Sequence, residues 1–158
     1  MSRTQCRFTA QIAGQPDRVF DLIADMPNYA DWLPGSNAFG GTTEVTPYPV
    51  QLGTSYLDWG PAGSRRGSVT AFDRPRSIAF HQTMLLKRGP LTADVNITID
   101  YTLKPSSGGT AVVRDLDITV QMPGLMRLAT PMVVAAFRKE NARTLAALRR
   151  YFEKTSTA

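Results

Sequence analysis

GLMRLATPMVVAAFRKENARTLAALRRYFE, residues 124–153, is the stretch whose reading decides the fold. Beyond Val133, apolar side chains return at Val134, Phe137, Leu145, Leu148 and Phe152 in steps of three and four, with Asn141 interrupting the stripe. That is the period of an amphipathic helix with one buried face. Arg138, Lys139, Arg143, Arg149 and Arg150 fall on the opposite face, and they place positive charge toward a helix C-terminus, where the macrodipole favours it. The half before Val133 has another character. Leu125, Met126, Leu128, Ala129, Met132, Ala135 and Ala136 make it apolar on nearly every side, so it is expected to be covered all round. Pro131 lies inside it, so either the helix starts there with Thr130 as cap, or an earlier turn is kinked. The kinked form is the expectation.

Composition sets the frame on which this helix packs. With 158 residues, 42% hydrophobic and 20% charged, the chain has the size of one domain with one core, spanning 1–158 with a disordered tail at 154–158. A single cysteine, Cys6, excludes an internal disulfide, and a cytoplasmic location is the expectation. The first residues show no apolar signal region, and no run of eighteen apolar residues occurs. The net charge of +5 is spread over pairs such as Arg65–Arg66, Lys87–Arg88 and Arg149–Arg150. No nucleic-acid partner is expected from so diffuse a pattern, and weak contact with an anionic membrane surface stays open. One histidine and one cysteine make no metal site. Neither Gly60-Pro61-Ala62-Gly63 nor Gly108-Gly109 has the strand–loop–helix setting and lysine of a phosphate-cradling loop. No cofactor is expected.

In chain order, Cys6, Phe8, Ala10 and Ile12 alternate with polar residues and predict a first strand. Gln15-Pro16-Asp17 opens a short helix carrying Val19, Phe20, Leu22 and Ile23, and Met26-Pro27 a second one carrying Tyr29 and Trp32. Strand patterns then follow at about 42–46, 53–59, 67–72, 77–85, 92–103 and 110–121, joined by hairpin-length connections. A sheet that long must curve around something, and the last helix is the available filler.

The run Ile12-Ala13-Gly14-Gln15-Pro16-Asp17-Arg18-Val19-Phe20-Asp21-Leu22-Ile23, continuing through Asp25-Met26-Pro27-Asn28-Tyr29 to Trp32-Leu33-Pro34, resembles the opening of the START-like superfamily, also called SRPBCC. Its members include polyketide cyclases/dehydrases, lipid-transfer domains and major pollen allergens. Leu52-Gly53, Gly67-Ser68-Val69 before Asp73-Arg74-Pro75, and Tyr101-Thr102-Leu103 before Gly108-Gly109-Thr110 agree with it. The resemblance implies an α+β helix-grip fold: a curved seven-stranded antiparallel sheet around a long C-terminal helix, two short helices after strand 1, and a hydrophobic cavity between sheet and helix.

Alternation then nominates the cavity wall. Ile78 and Phe80, Val95, Ile97, Ile99, Tyr101 and Leu103, and Val112, Leu116, Ile118 and Val120 share the inner parity, with Leu57 and Trp59 added from the earlier strand. From the helix come Met126, Ala129, Met132, Val133, Ala135 and Ala136, small or unbranched residues that leave room. Trp32 borders the mouth. Gln82 and Arg114 are the inward polar candidates, able to orient a carbonyl or anchor an anionic head, unless they mark strand ends turning to solvent. His81 falls on the outward parity with Ala79 and Thr83. The function expected is binding or transport of a lipid- or polyketide-like small molecule by a monomer or homodimer. The alternative is a polyketide cyclase/dehydratase-type enzyme that moves protons with Arg114 or Tyr101.

Overall fold

Arg3, Gln5, Arg7, Thr9 and Gln11 face solvent while Thr4, Cys6, Phe8, Ala10 and Ile12 turn inward, so β1 (Ser2–Ile12) is built on a strict two-residue period. The computed structural model describes residues 1–156. After β1 come α1 (Pro16–Ala24) and a 3-10 turn at Met26–Asp31. Six strands follow: β2 (Gly41–Thr46), β3 (Ser55–Gly60), β4 (Gly63–Asp73), β5 (Ser77–Arg88), β6 (Leu91–Ser106) and β7 (Gly109–Gln121). A second 3-10 turn, Gly124–Ala129, leads into α2 (Thr130–Ser156). All seven strands form one antiparallel sheet in the order β1-β7-β6-β5-β4-β3-β2. Register shifts between Val69 and Ala71, and between Thr43 and Thr46, mark bulges that add bend to the sheet. The helix-grip architecture is the one formed.

The inner face of the central strands buries Ile78 and Phe80, Val95 through Leu103 at alternate positions, and Val112, Leu116, Ile118 and Val120. α2 adds Val133, Leu145, Leu148 and Phe152 to the same core. Each such side chain is worth about 1.5–3 kcal/mol on leaving water. Pro16 occupies the first turn of α1, where a missing N–H is no loss. Phe20, fully buried below it, meets Phe72 edge-on at 5.1 Å.

A helical turn does precede Pro131, as the second sequence alternative has it, but it is a 3-10 turn that passes directly into α2. Thr130 is itself helical (φ −52°, ψ −45°), so Pro131 stands in the first α-helical turn. This half is not covered all round: Leu125, Leu128 and Met132 are exposed. Met126 and Ala129 still pack against the edge of the core, but Leu125, Leu128 and Met132 have no wall to meet. At the other end α2 runs on to Ser156, so residues 154–156 of the expected tail are helical and 157–158 lie outside the described residues.

Candidate functional site

The β3–β4 hairpin pairs Gly60 with Gly63, which sets Asp58 opposite Arg65 and Tyr56 opposite Gly67. Asp58 and Arg65 both turn inward and are buried, with Arg65 Nη2 3.7 Å from Asp58 Oδ2. Gly67 in turn faces Gln82 on β5. Because Gly67 has no side chain, the Tyr56 ring crosses over it, and a Cβ there would lie 2.2 Å from Tyr56 Cζ. The phenol thereby reaches Gln82, whose Nε2 donates to Tyr56 Oη at 2.9 Å and to Asp58 Oδ2 at 3.0 Å. Thr42 Oγ1 donates to Asp58 Oδ1 at 2.5 Å. Gly67→Ala should therefore push Tyr56 off Gln82 and destabilise the protein by about 1–3 kcal/mol. A shift in the urea midpoint of under 0.5 kcal/mol equivalent, roughly the level of an ordinary surface change, would contradict this packing.

On the neighbouring strands Tyr101 of β6 pairs with Arg114 of β7. The Arg114 guanidinium stacks on the Tyr101 ring, its Cζ 4.8 Å from the centroid. Its Nη1 donates to Tyr101 Oη, its Nη2 to Asn141 Oδ1, and its Nε to the same oxygen at 3.0 Å. Asn141 on α2 is oriented by its own Nδ2–H bond to Phe137 O at 2.8 Å. These contacts use three of the five N–H donors a guanidinium carries. The other two donate to no protein atom among the described residues.

Both clusters open on one hollow between sheet and α2, closed at its sides by Met26, Tyr29, Leu33, Phe39, Phe80, Ile97, Ile99, Phe137, Glu140 and Thr144. It measures about 620 Å³ with its solvent-open mouth included, but the centre of a water molecule reaches only about 60 Å³ of it. At roughly 10–15 Å³ for one water, the interior seats a small polar group and not a whole acyl chain.

Burial sets the electrostatics. It raises the Asp58 carboxyl above the ordinary range, and the pull of Arg65 with the hydrogen bonds from Thr42 and Gln82 offsets this only in part. It pushes the Arg114 guanidinium down to about 10, so Arg114 remains a cation at neutral pH. It raises the Tyr29 and Tyr56 phenols, which stay protonated. Burial also acts to raise Glu140, but hydrogen bonds from Arg143 and Ser36 outweigh it and hold that carboxyl below its usual range. Arg65 Nε is buried and donates to no protein atom.

Of the residues nominated from sequence, Phe80, Gln82, Ile97, Ile99, Tyr101 and Arg114 surround this hollow. Trp32, Val112, Leu116 and Val133 are buried in the core beside it. Trp59 is corrected: it is 46% exposed and lies against Gly40 and Gly41 on the outer face, and Tyr56 and Asp58 take the inner parity. Met132 and Ala136 face solvent, and Met126 and Ala129 are half-buried outside the hollow, because the helix meets the cavity further along, at Phe137, Glu140, Asn141 and Thr144. Asp58, Arg65 and Tyr56 were missed. Their signal was the hairpin itself, since counting back from Gly60-Pro61-Ala62-Gly63 sets an acid against a base.

The family model described as polyketide cyclase/dehydrase and lipid transport matches residues 3–153. No curated protein sequence matches. Among solved structures, the Zhui aromatase/cyclase from Streptomyces sp. R1128 superposes with a TM-score of 0.76 at 17% identity, over 97% of this chain and 95% of that one. The di-domain ARO/CYC StfQ from the steffimycin biosynthetic pathway gives 0.71 at 11% identity, over 99% of this chain and 52% of that one. Protein MLL2253 from Mesorhizobium loti gives 0.67 at 12% identity, over 96% and 98%. At these identities the likeness is one of fold.

Proposed function

This chain belongs to the polyketide cyclase/dehydrase and lipid transport family, and on that footing we propose that it is a cyclase/dehydratase-type enzyme acting on an enolisable ketone of the poly-β-ketone kind. The observation that carries this reading is a buried carboxylate, Asp58, facing the same hollow as the buried cation Arg114. A carrier needs shape and an apolar wall, and charged groups in its interior cost solvation. A proton-transfer site needs a base and a charge stabiliser on opposite sides of one carbonyl unit.

In the proposed reaction Asp58 takes a proton from the carbon between two carbonyls. The electron pair moves onto the carbonyl oxygen, where the free N–H groups of Arg114 stabilise the enolate. The enolate carbon then attacks a second carbonyl of the same chain, a C–C bond forms, and the resulting alkoxide takes the proton back from Asp58. The Tyr56 oxygen accepts from Gln82 and the Tyr101 oxygen from Arg114, so both phenol protons remain available to carbonyl oxygens. The small interior seats the reacting unit, and the remainder of a longer substrate extends through the mouth.

Deuterium loss from the α-carbon of a β-keto thioester, followed by NMR, tests the first step. Wild type should accelerate it and Asp58→Asn should not. The rate should fall as pH drops through the Asp58 pKa, which burial places above the ordinary carboxylate range, and this acid limb should be missing from the variant. Exchange by wild type no faster than buffer, together with a co-purifying ligand in native mass spectrometry, would leave binding as the function.

A further inference from the structure

Outside the cavity, the sharpest departure from an ordinary soluble surface lies where β7 passes into α2. Gly124, with φ of +55°, turns the chain out of the sheet, and within the next eight residues Leu125, Leu128 and Met132 stand 86%, 83% and 67% exposed. Three large exposed apolar side chains within eight residues of a 3-10 turn and the first turn of a helix are not scattered surface hydrophobics. Between Gln121 and Lys139 there is no Asp or Glu, while Arg127, Arg138 and Lys139 are present. None of those three cations is in an ion pair among the described residues. Beside the apolar tip an open groove of about 1120 Å³, its solvent-open side included, runs between the sheet end and α2, lined by Val120, Met122, Pro131, Val134, Arg127 and Arg138.

We infer that the segment Gly124–Lys139 docks this protein onto the headgroup layer of an anionic bilayer, with Leu125, Leu128 and Met132 as its apolar contacts. An interfacial element needs an apolar tip to enter the acyl boundary and basic residues behind it to meet lipid phosphates. This segment has both. No helix among the described residues is long and apolar enough to cross a membrane, so the contact is with one leaflet. A second copy of the chain fits less well. A two-fold contact would set Arg127, Arg138 and Lys139 against themselves, and three side chains fall short of the roughly 800 Å² per partner of a stable interface. The inference does not depend on the chemistry in the cavity.

Co-sedimentation of the full chain with vesicles is the test. At low salt the protein should partition onto phosphatidylcholine/phosphatidylglycerol vesicles, bind pure phosphatidylcholine much less, and come off the anionic vesicles as salt rises. Leu125→Ser with Leu128→Ser should weaken binding by roughly tenfold or more, on the scale of losing one to two buried leucines. Arg127→Glu should reduce the preference for anionic lipid. All three positions are exposed, so an unchanged thermal midpoint verifies that the variants fold. Equal binding of wild type and the double variant, or no binding to anionic vesicles, would overturn the inference. So would a wild-type dimer that the double substitution makes monomeric without any vesicle binding, since the tip would then belong to a second copy.

Discussion

Arg114→Met should lower α-proton exchange on a β-keto thioester by about 10²–10³-fold, the usual cost of removing one oxyanion stabiliser, while the thermal midpoint stays nearly unchanged. The second half of that expectation follows from what surrounds the guanidinium. Its direct partners, Tyr101 and Asn141, are neutral, and burial already pulls its pKa down to about 10. A buried cation without a carboxylate in contact opposes folding, by several kcal/mol before compensation. Methionine removes that opposition and fills most of the volume, but leaves Asn141 Oδ1 and Tyr101 Oη short of a donor, at about 1–3 kcal/mol each. The two changes are of similar size and opposite sign. Arg114→Lys keeps the charge without the fork that spans Tyr101 and Asn141, so it should restore only part of the rate. If Arg114→Met exchanged protons at the wild-type rate, the stabilising role would be lost. If it melted far below wild type, the side chain would be structural.

Asp58 shows the same tension between chemistry and stability. Its pKa is raised on folding, so its contribution to stability is fully present below the unfolded value and is lost as pH rises through the folded one. The ionised form that would accept a proton is the form the fold disfavours. A carboxyl held in that condition inside a cavity is what the proposed base role of Asp58 calls for.

The architecture was legible because burial on one face writes a period into the chain. β6 and β7 alternate cleanly, β5 does so from Phe80 onward, and the expected parities of Phe80, Ile99, Tyr101 and Leu116 are those of the structure. β3 misled because both of its faces carry an aromatic. Tyr56 and Asp58 compete with Leu57 and Trp59, and hydropathy chooses the pair with leucine and tryptophan. The structure chooses the other, since Asp58 has Arg65, Gln82 and Thr42 to satisfy it and Trp59 can lie over Gly40 and Gly41. A polar cavity inverts the rule that reads the inside as apolar. Asn141 carried a similar message as the polar interruption of a buried helical stripe, and it is the residue that holds Arg114. The exposed start of α2 was misread because an apolar stretch does not itself say whether the rest of the fold reaches it, and at Leu125, Leu128 and Met132 it does not.

Gly109→Ala should be the most destabilising small substitution in the β6–β7 turn, costing about 4 kcal/mol, whereas Gly108→Ala one residue earlier should cost about 1 kcal/mol. Both glycines have positive φ, +83° at Gly108 and +155° at Gly109. Their surroundings differ. A Cβ on Gly108 meets nothing within 4 Å, so only the backbone preference is violated. A Cβ on Gly109 would lie 2.0 Å from Ile12 O and 3.0 Å from Gly14 N. Those are backbone atoms at the end of β1, which cannot rotate away, and Thr110 Oγ1 ties the same place by donating to Gly14 O at 2.7 Å. Relief would require β7 to move along β1, away from the pairing of Ile12 with Thr110 and Phe8 with Arg114. A slip of one residue turns every side chain on β7 to the other face, taking Arg114 out of the hollow. Gly109→Ala should therefore lose proton exchange along with stability, even at a temperature where it remains folded, while Gly108→Ala keeps both. Urea midpoints and exchange rates measured on the two variants side by side decide it, and equal midpoints would mean that the close approach of β7 to the end of β1 is not what fixes the register.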